Sequence, residues 1–354
     1  LHSAVAAPAG PATAAGAPRQ AGARRSGHCG ARPADPAARA GAPLESSVSS
    51  PVRRADAADR ISSTENVLQM FNQLGLIGCG LMGGSFALAM KKAGLVRRVV
   101  GYSKSPSTVI QAQKMGVVDQ AAESALLAVS GSDIVLIAVP VAATEATFRA
   151  IRHLVTPNTL FMDVGSTKGD VVEAARRVLK ERLPAFVPAH PIAGKEVAGI
   201  AHADATLYQD CQVVLTPVAE TDMALIERAH AAWQGIGAQV RTMTPESHDA
   251  AFAAVSHLPH LIAFASYLAV AHQAEGERYL ELAGPGFRDF TRIAASDPKV
   301  WRDILLANRA QVLAQAEQFK TTLFRFESAM REGNADAIEA LIREAAQGRG
   351  AWKK

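Results

Sequence analysis

Cysteine is scarce: the 354 residues hold three, Cys29, Cys79 and Cys211. An odd number at such wide spacing gives neither a disulfide framework nor a zinc-ligand pattern, and a reducing cytoplasm is the simplest compartment for it. Long apolar runs are also missing. No stretch of about 18 residues lacks a polar interruption, so a soluble protein without a membrane span is expected. Residues 1–69 contain no lysine, yet their eight arginines and five acids place +3 of the net charge of +4 there. The other 285 residues carry 29 basic and 28 acidic side chains and are close to neutral. A sequence pI near 9.0 therefore describes mostly an appendage. It gives no reason to expect a nucleic-acid partner.

That appendage has 19 Ala, many Pro, Gly, Arg and Ser, almost no aromatics and no apolar periodicity able to bury a face. Such a composition reads as a disordered extension. Arg with few acids also suits an organellar leader, whereas Ala4 to Pro18 lacks the basic segment and continuous apolar core of a secretory signal. Met70 stands directly before the first strand pattern. A start at Met70, with the preceding residues read from upstream sequence, is the third reading.

From Leu74 short apolar runs alternate with helical stretches, which predicts an α/β fold with a Rossmann-type doubly wound, mostly parallel sheet. Strands are expected at 73–78, 97–102, 133–139, 159–164, 185–189 and 211–216, with a last one, Gln239 to Met243, closing the sheet. Helices fit at 82–93, 107–115, 121–129, 142–153 and 168–180. After Pro245 helices take over, at 247–273, 298–331 and 335–346. The expected organisation is an extension over 1–69, a dinucleotide-binding domain over 70–243 and an all-helical C-terminal domain for substrate and dimerisation over 244–354. Trp301, Leu305, Val312, Phe319, Leu323, Phe326 and Met330 recur at helical spacing, and core or dimer interface is the reading of that stripe.

Gly78-Cys-Gly80-Leu81-Met82-Gly83 matches G-x-G-x-x-G with a strand before it and a helix after it. Gly78 permits the tight turn, Gly80 close approach of a pyrophosphate and Gly83 helix-to-strand packing, while the helix N-terminus offers free N–H groups. The second strand ends in Ser103-Lys104 instead of an acid. Ser103 suits a ribose hydroxyl and Lys104 a 2′-phosphate, so NAD and NADP both remain open. Ligands collect at the carboxyl ends of such strands. There the chain places Val139-Pro140, Asp163 to Lys168 with Ser166, and His190 to Glu196.

A nicotinamide enzyme oxidising an alcohol needs a base beside the hydroxyl, and His190, in a Gly-containing loop, has a suitable pKa. Ser166 is placed to share a hydrogen bond with it or with the substrate. In the helical part, His257 and His260 stand three residues apart around Pro259, a plausible acceptor for an anion. Arg288 and Arg292 are four apart, and an Arg fork matches a carboxylate bidentately; a surface ion pair with Asp289 is the plainer alternative. No third ligand accompanies the histidines, so no metal is expected.

Together the stretches GLIGCGLMGGS, IVLIAVPV, MDVGSTKGDVVEAA, HPIAGKEVAGI, AAVSHLPHLIAFA and GFRDFTRIAASDPKVW resemble the prephenate/arogenate dehydrogenase family of tyrosine biosynthesis, over residues 73 to 330. The combination is specific, whereas the glycine loop alone fits many reductases. The resemblance implies oxidative decarboxylation of prephenate, or of arogenate, to a 4-hydroxyphenyl product with hydride transfer to NAD or NADP. It implies that His190 takes the ring hydroxyl proton, that Ser166 orients that hydroxyl and that Arg292 pairs with the ring carboxylate. His260 and His257 become substrate-site residues, Asp289 and Trp301 support Arg292, and Glu196 lies near the entrance. Lys195 departs from the pattern of several relatives and is expected to favour prephenate over arogenate. A homodimer through the helical domain is implied too. Since the sequence ends soon after the helical stripe, no appended regulatory domain is expected, and residues 1–69, without long amphipathic helices, are not expected to supply a fused mutase.

Two rivals are weighed. Other Rossmann dehydrogenases of β-hydroxy acids place a Lys on an early helix of the second domain, and 245–275 has none. A non-catalytic nicotinamide sensor would not need His190, Ser166 and Arg292 together.

Overall fold

The computed structural model describes residues 70–194 and 197–352. The extension over 1–69, Lys195 and Glu196 lie outside the described residues, as do the expectations attached to them.

Six parallel strands form the main sheet: β1 (Phe71–Ile77), β2 (Val96–Tyr102), β3 (Gln120–Ala121), β4 (Ile134–Ile137), β5 (Leu160–Asp163) and β6 (Phe186–Val187), in the order β3-β2-β1-β4-β5-β6. Consecutive residues of β4 and β5 are all buried, as they must be where helices cover both faces. The helices are α1 (Leu81–Lys92), α2 (Pro106–Lys114), α3 (Ala125–Val129), α4 (Val141–Ile151) and α5 (Gly169–Leu179). Strand order reverses between β1 and β4, so the crevice at their carboxyl ends is the topological switch point. Few aromatics serve this core, but they are clustered. Phe86, Tyr208 and Trp233 pack at centroid distances of 4.7 to 6.5 Å, and Phe148, Phe161 and Phe186 form a second triplet.

Three expectations are corrected. The strand expected at 185–189 divides at Pro188 into β6 and β7 (Ala189–Pro191), and β7 belongs to a separate three-stranded sheet with β8 (Gln212–Leu215) and β9 (Gln239–Thr242). The strand at 239 therefore does not close the main sheet; it runs parallel to β8, which lies antiparallel to β7. The chain switches sheets because the Ala189 N–H is taken by the Asp163 carboxylate at 3.1 Å, while the Pro188 carbonyl accepts the Thr216 N–H of the small sheet. The helix expected from 121 starts only at Ala125, after the edge strand β3, where Ser124 caps it by accepting the Leu127 N–H. Helix α6 (Met223–Gly235), which links β8 to β9, had no counterpart in the sequence reading.

The helical part comprises α7 (Pro245–Phe252), α8 (Leu258–Ala271), α9 (Gly276–Glu281), α10 (Pro285–Thr291), α11 (Pro298–Ala307), α12 (Arg309–Arg331) and α13 (Ala335–Ala351). Pro259 lies in one continuous helical run over Pro245–Ala271, and directly before α8 a π-helical turn at Ala253–His257 interrupts the regular α-helical ladder. The helix expected at 298–331 breaks at Asn308, whose buried side chain is bound to α7 and the π-turn. By length and composition Pro245–Ala271 is apolar enough to cross a membrane. Its His248, Asp249 and His257 are instead buried and hydrogen-bonded to other parts of this fold.

Candidate active site

The glycine loop lies at the switch point, and each glycine has its own reason. Gly78 adopts φ +98°, and a Cβ there would meet the Ala138 carbonyl oxygen at 2.2 Å. Gly83 packs against the Gly78 carbonyl and Leu76. At Gly80 a Cβ would meet nothing within 4 Å, so the space above it belongs to a ligand or to solvent. Gly80 is the N-cap of α1 and supplies no side-chain cap, which leaves first-turn N–H groups for an anion. A cleft of about 620 Å³ is lined by Gly78, Gly80, Ser103, Lys104, Val139 and Pro140. These residues fit a dinucleotide. A neighbouring cleft of about 370 Å³ adds Leu81, Met82 and Ser166 from the α/β part and Val300, Asp303 and Ile304 from α11.

A third cleft, about 690 Å³, contains His190 with Gly194, Phe252, Val255, Ser256 and Trp352. It shares Gly194 with the Ser166 cleft. His190 is set by two elements at once. Lys168, wholly buried, donates from Nζ to Asp163 at 2.5 Å and to the Ala189 carbonyl at 2.8 Å, while Asp163 receives the Ala189 N–H. The ion pair therefore clamps the peptide just before His190, a role for the Asp163 to Lys168 segment that its sequence does not display.

The His190 side chain is held by His248, not by Ser166: Nδ1 of His190 lies 2.8 Å from Nε2 of His248. Nδ1 of His248 in turn lies 2.8 Å from Asp249 Oδ1. The Asp249 carboxylate also accepts the Lys168 N–H at 2.9 Å and the Gly169 N–H at 2.8 Å, capping α5 from a distant part of the chain. Burial alone works against its charge, but these bonds from His248, Lys168 and Gly169 hold Asp249 below the usual carboxylate range. Burial, then the neighbouring His248 and Lys168, push His190 well below 6.5. It is a neutral base at neutral pH.

On the helical side, His260 stacks on Trp301 with ring centroids 3.5 Å apart and 21° between planes. Its Nδ1–H donates to the Ser256 carbonyl at 2.9 Å, leaving Nε2 as acceptor. His257 is 1% exposed and bound through Nδ1 to Asn308 Nδ2 at 3.1 Å. Its near-complete burial leaves little surface for the substrate contact expected of it. Burial lowers His257 to about 4 and lowers His260 as well. The pair is thus uncharged near neutrality and is not the ready-made anion acceptor that its spacing suggested. Arg292 begins a 3-10 turn (Arg292–Ala295) packed against α8, and both it and Asp289 are exposed.

Sequence reasoning missed His248, Asp249 and Asn308, and placed Lys168 at a strand end without giving it a role. The one available signal was the adjacent His248-Asp249 pair opening the helical region; the others act through contacts between residues up to 81 positions apart. Among the described residues no group of three or more His, Cys, Asp and Glu is arranged to hold a metal.

Known proteins resemble this chain in sequence and in fold. The family model for the prephenate dehydrogenase nucleotide-binding domain matches residues 86–242, and that for the prephenate dehydrogenase dimerization domain matches 244–344. The chain is 36% identical over 273 residues to prephenate dehydrogenase of Bacillus subtilis, covering 76% of this chain and 73% of that one. It is 32% identical to cyclohexadienyl dehydrogenase of Zymomonas mobilis, over 81% of this chain and 98% of the other. The crystal structure of Aquifex aeolicus prephenate dehydrogenase in complex with hydroxyphenyl propionate and NAD+ superposes with a TM-score of 0.74 at 33% identity, covering 80% of this chain and 99% of that one. The chain belongs to the prephenate dehydrogenase family.

Proposed function

We propose that this protein oxidatively decarboxylates prephenate to 4-hydroxyphenylpyruvate, a step of tyrosine biosynthesis, with NAD or NADP as hydride acceptor. The observation that carries this reading is His190, a half-buried imidazole held neutral in a cleft that shares Gly194 with the Ser166 cleft, which in turn shares Gly80, Val139 and Pro140 with the dinucleotide cleft. A nicotinamide bound along the glycine loop supplies the hydride acceptor. Aromatisation of the cyclohexadiene ring gives a large driving force, so the protein mainly aligns the reactants and manages one proton. His190 Nε2 takes the ring hydroxyl proton, Ser166 orients that hydroxyl, and Arg292 holds the ring carboxylate as an orienting clamp. Asp289 supports Arg292.

Ser103 and Lys104 both line the dinucleotide cleft, the first suited to a ribose hydroxyl and the second to a 2′-phosphate. Arogenate is the second reading, favoured by the likeness to a cyclohexadienyl dehydrogenase. Lys195 tips the balance toward prephenate, and Lys195→Ala should change the ratio of kcat/KM for the two substrates. The domains divide at residues 243 and 244. The protein acts as a homodimer in the cytoplasm, where the buried Cys79 thiol, pushed up to about 12 by burial, stays unreactive.

The experiment is nicotinamide reduction followed by absorbance, with each cofactor, on adding prephenate, arogenate or a simple β-hydroxy acid. Turnover of prephenate is expected. Turnover of only the β-hydroxy acid would overturn the reading.

A further inference from the structure

Asp249 is an ionised acceptor of three hydrogen bonds, so the nitrogen facing it, Nδ1 of His248, must carry a proton. In a neutral His248, Nε2 is then a lone pair, and His190 must donate to it from Nδ1. That leaves Nε2 of His190 as the lone pair available to the substrate. Each tautomer follows from the one before it, beginning at a carboxylate anchored on the N-terminus of α5.

We propose that Asp249 and His248 are positioning residues that fix His190 in its Nδ1–H tautomer and share the proton it takes from the substrate. The proposal rests on the reading of His190 as the base. When the substrate O–H bond breaks, an N–H bond forms at His190 Nε2, and the Nδ1–H proton can pass to His248 Nε2 while Asp249 stays ionised. Prephenate as a dianion plus an oxidised nicotinamide yields the product monoanion, carbon dioxide and the reduced nicotinamide, with no net proton released. The borrowed proton therefore returns to the phenolate oxygen as the ring aromatises. A site that only borrows a proton needs a transient cation stabilised in place, and Asp249 is the anion facing it.

The other charged and titratable groups around the two imidazoles are Lys168, Asp163 and His257, and Asp170 lies within reach of Lys168 and Asp249. Lys168 is neutralised by its buried pair with Asp163. His257 is neutral above about pH 4. Burial holds the carboxyl of Asp170 above its ordinary value.

The test uses nitrogen-15 histidine spectra together with pH profiles of the whole protein. Wild type should show His190 protonated at Nδ1. His248→Leu should populate the Nε2–H form and lower kcat ten- to a hundredfold. Asp249→Asn should lower kcat similarly and move the acid limb of the profile to lower pH, with dinucleotide affinity unchanged in both. His248→Gln, whose amide oxygen still accepts from His190, should restore the tautomer while kcat stays reduced, which a purely structural role would not produce. An unchanged tautomer and profile in His248→Leu and Asp249→Asn, with His190→Asn inactive, would overturn the relay alone. Near wild-type turnover in His190→Asn would remove the base itself.

Discussion

A histidine is useful here because of what surrounds it. His190 is legible as a candidate from its position after a strand and in a loop, but its chemistry is written by residues far away in sequence. The clamp on its backbone comes from Asp163 and Lys168, and the hold on its ring from His248. His257 teaches the same lesson with the opposite outcome. Its spacing from His260 suggested an anion site, whereas burial lowers it to about 4 and Asn308 occupies its Nδ1. A histidine held neutral in the fold but titrating near 6.5 when unfolded contributes stability that is complete above about pH 6.5 and is lost as pH falls toward 4. The loss is on the order of 3 kcal/mol. Melting temperature measured against pH should fall through that window in wild type, and the slope should flatten in His257→Gln. Arg292→Lys keeps the charge but loses the planar fork, so KM for prephenate should rise about tenfold. An unchanged KM would remove Arg292 from substrate contact.

At the scale of elements, the glycine loop offers a clean separation of causes. A Cβ on Gly78 collides with backbone at positive φ, so Gly78→Ala should destabilise the whole fold. A side chain at Gly80 meets open space, so Gly80→Val should leave the melting temperature within a degree or two while weakening dinucleotide binding at least tenfold, as read by titration calorimetry. Strand-to-helix alternation made most of the nucleotide domain legible, since buried parallel strands such as β4 and β5 are uninterrupted apolar runs. The small sheet was not legible. Its separation turns on hydrogen bonds accepted by the Asp163 carboxylate and the Pro188 carbonyl, and no apolar pattern records where a chain leaves one sheet for another. Nor did periodicity reveal the break at Asn308, a helix-compatible residue whose side chain is used elsewhere.

For the whole molecule, the apolar stripe read from the sequence is divided: Val312 is buried and Trp301, Leu305 and Phe326 are half-buried, whereas Phe319, Leu323 and Met330 are exposed. With Phe324, which lies outside that stripe, these α12 residues are 40 to 60% exposed, and α13 adds Ile342. An exposed apolar face of this extent on a segment matched by a dimerization domain predicts that the protein sediments as a dimer. A double substitution, Leu323→Glu with Phe324→Glu, should yield monomer in sedimentation analysis; a dimer that persists would place the interface elsewhere. The central claim, that His190 takes the substrate proton, is tested most directly by kcat for prephenate in His190→Asn alongside the dinucleotide Kd of the same variant. The account predicts that kcat falls at least about a hundredfold while Kd stays within about twofold. Turnover close to wild type would contradict it.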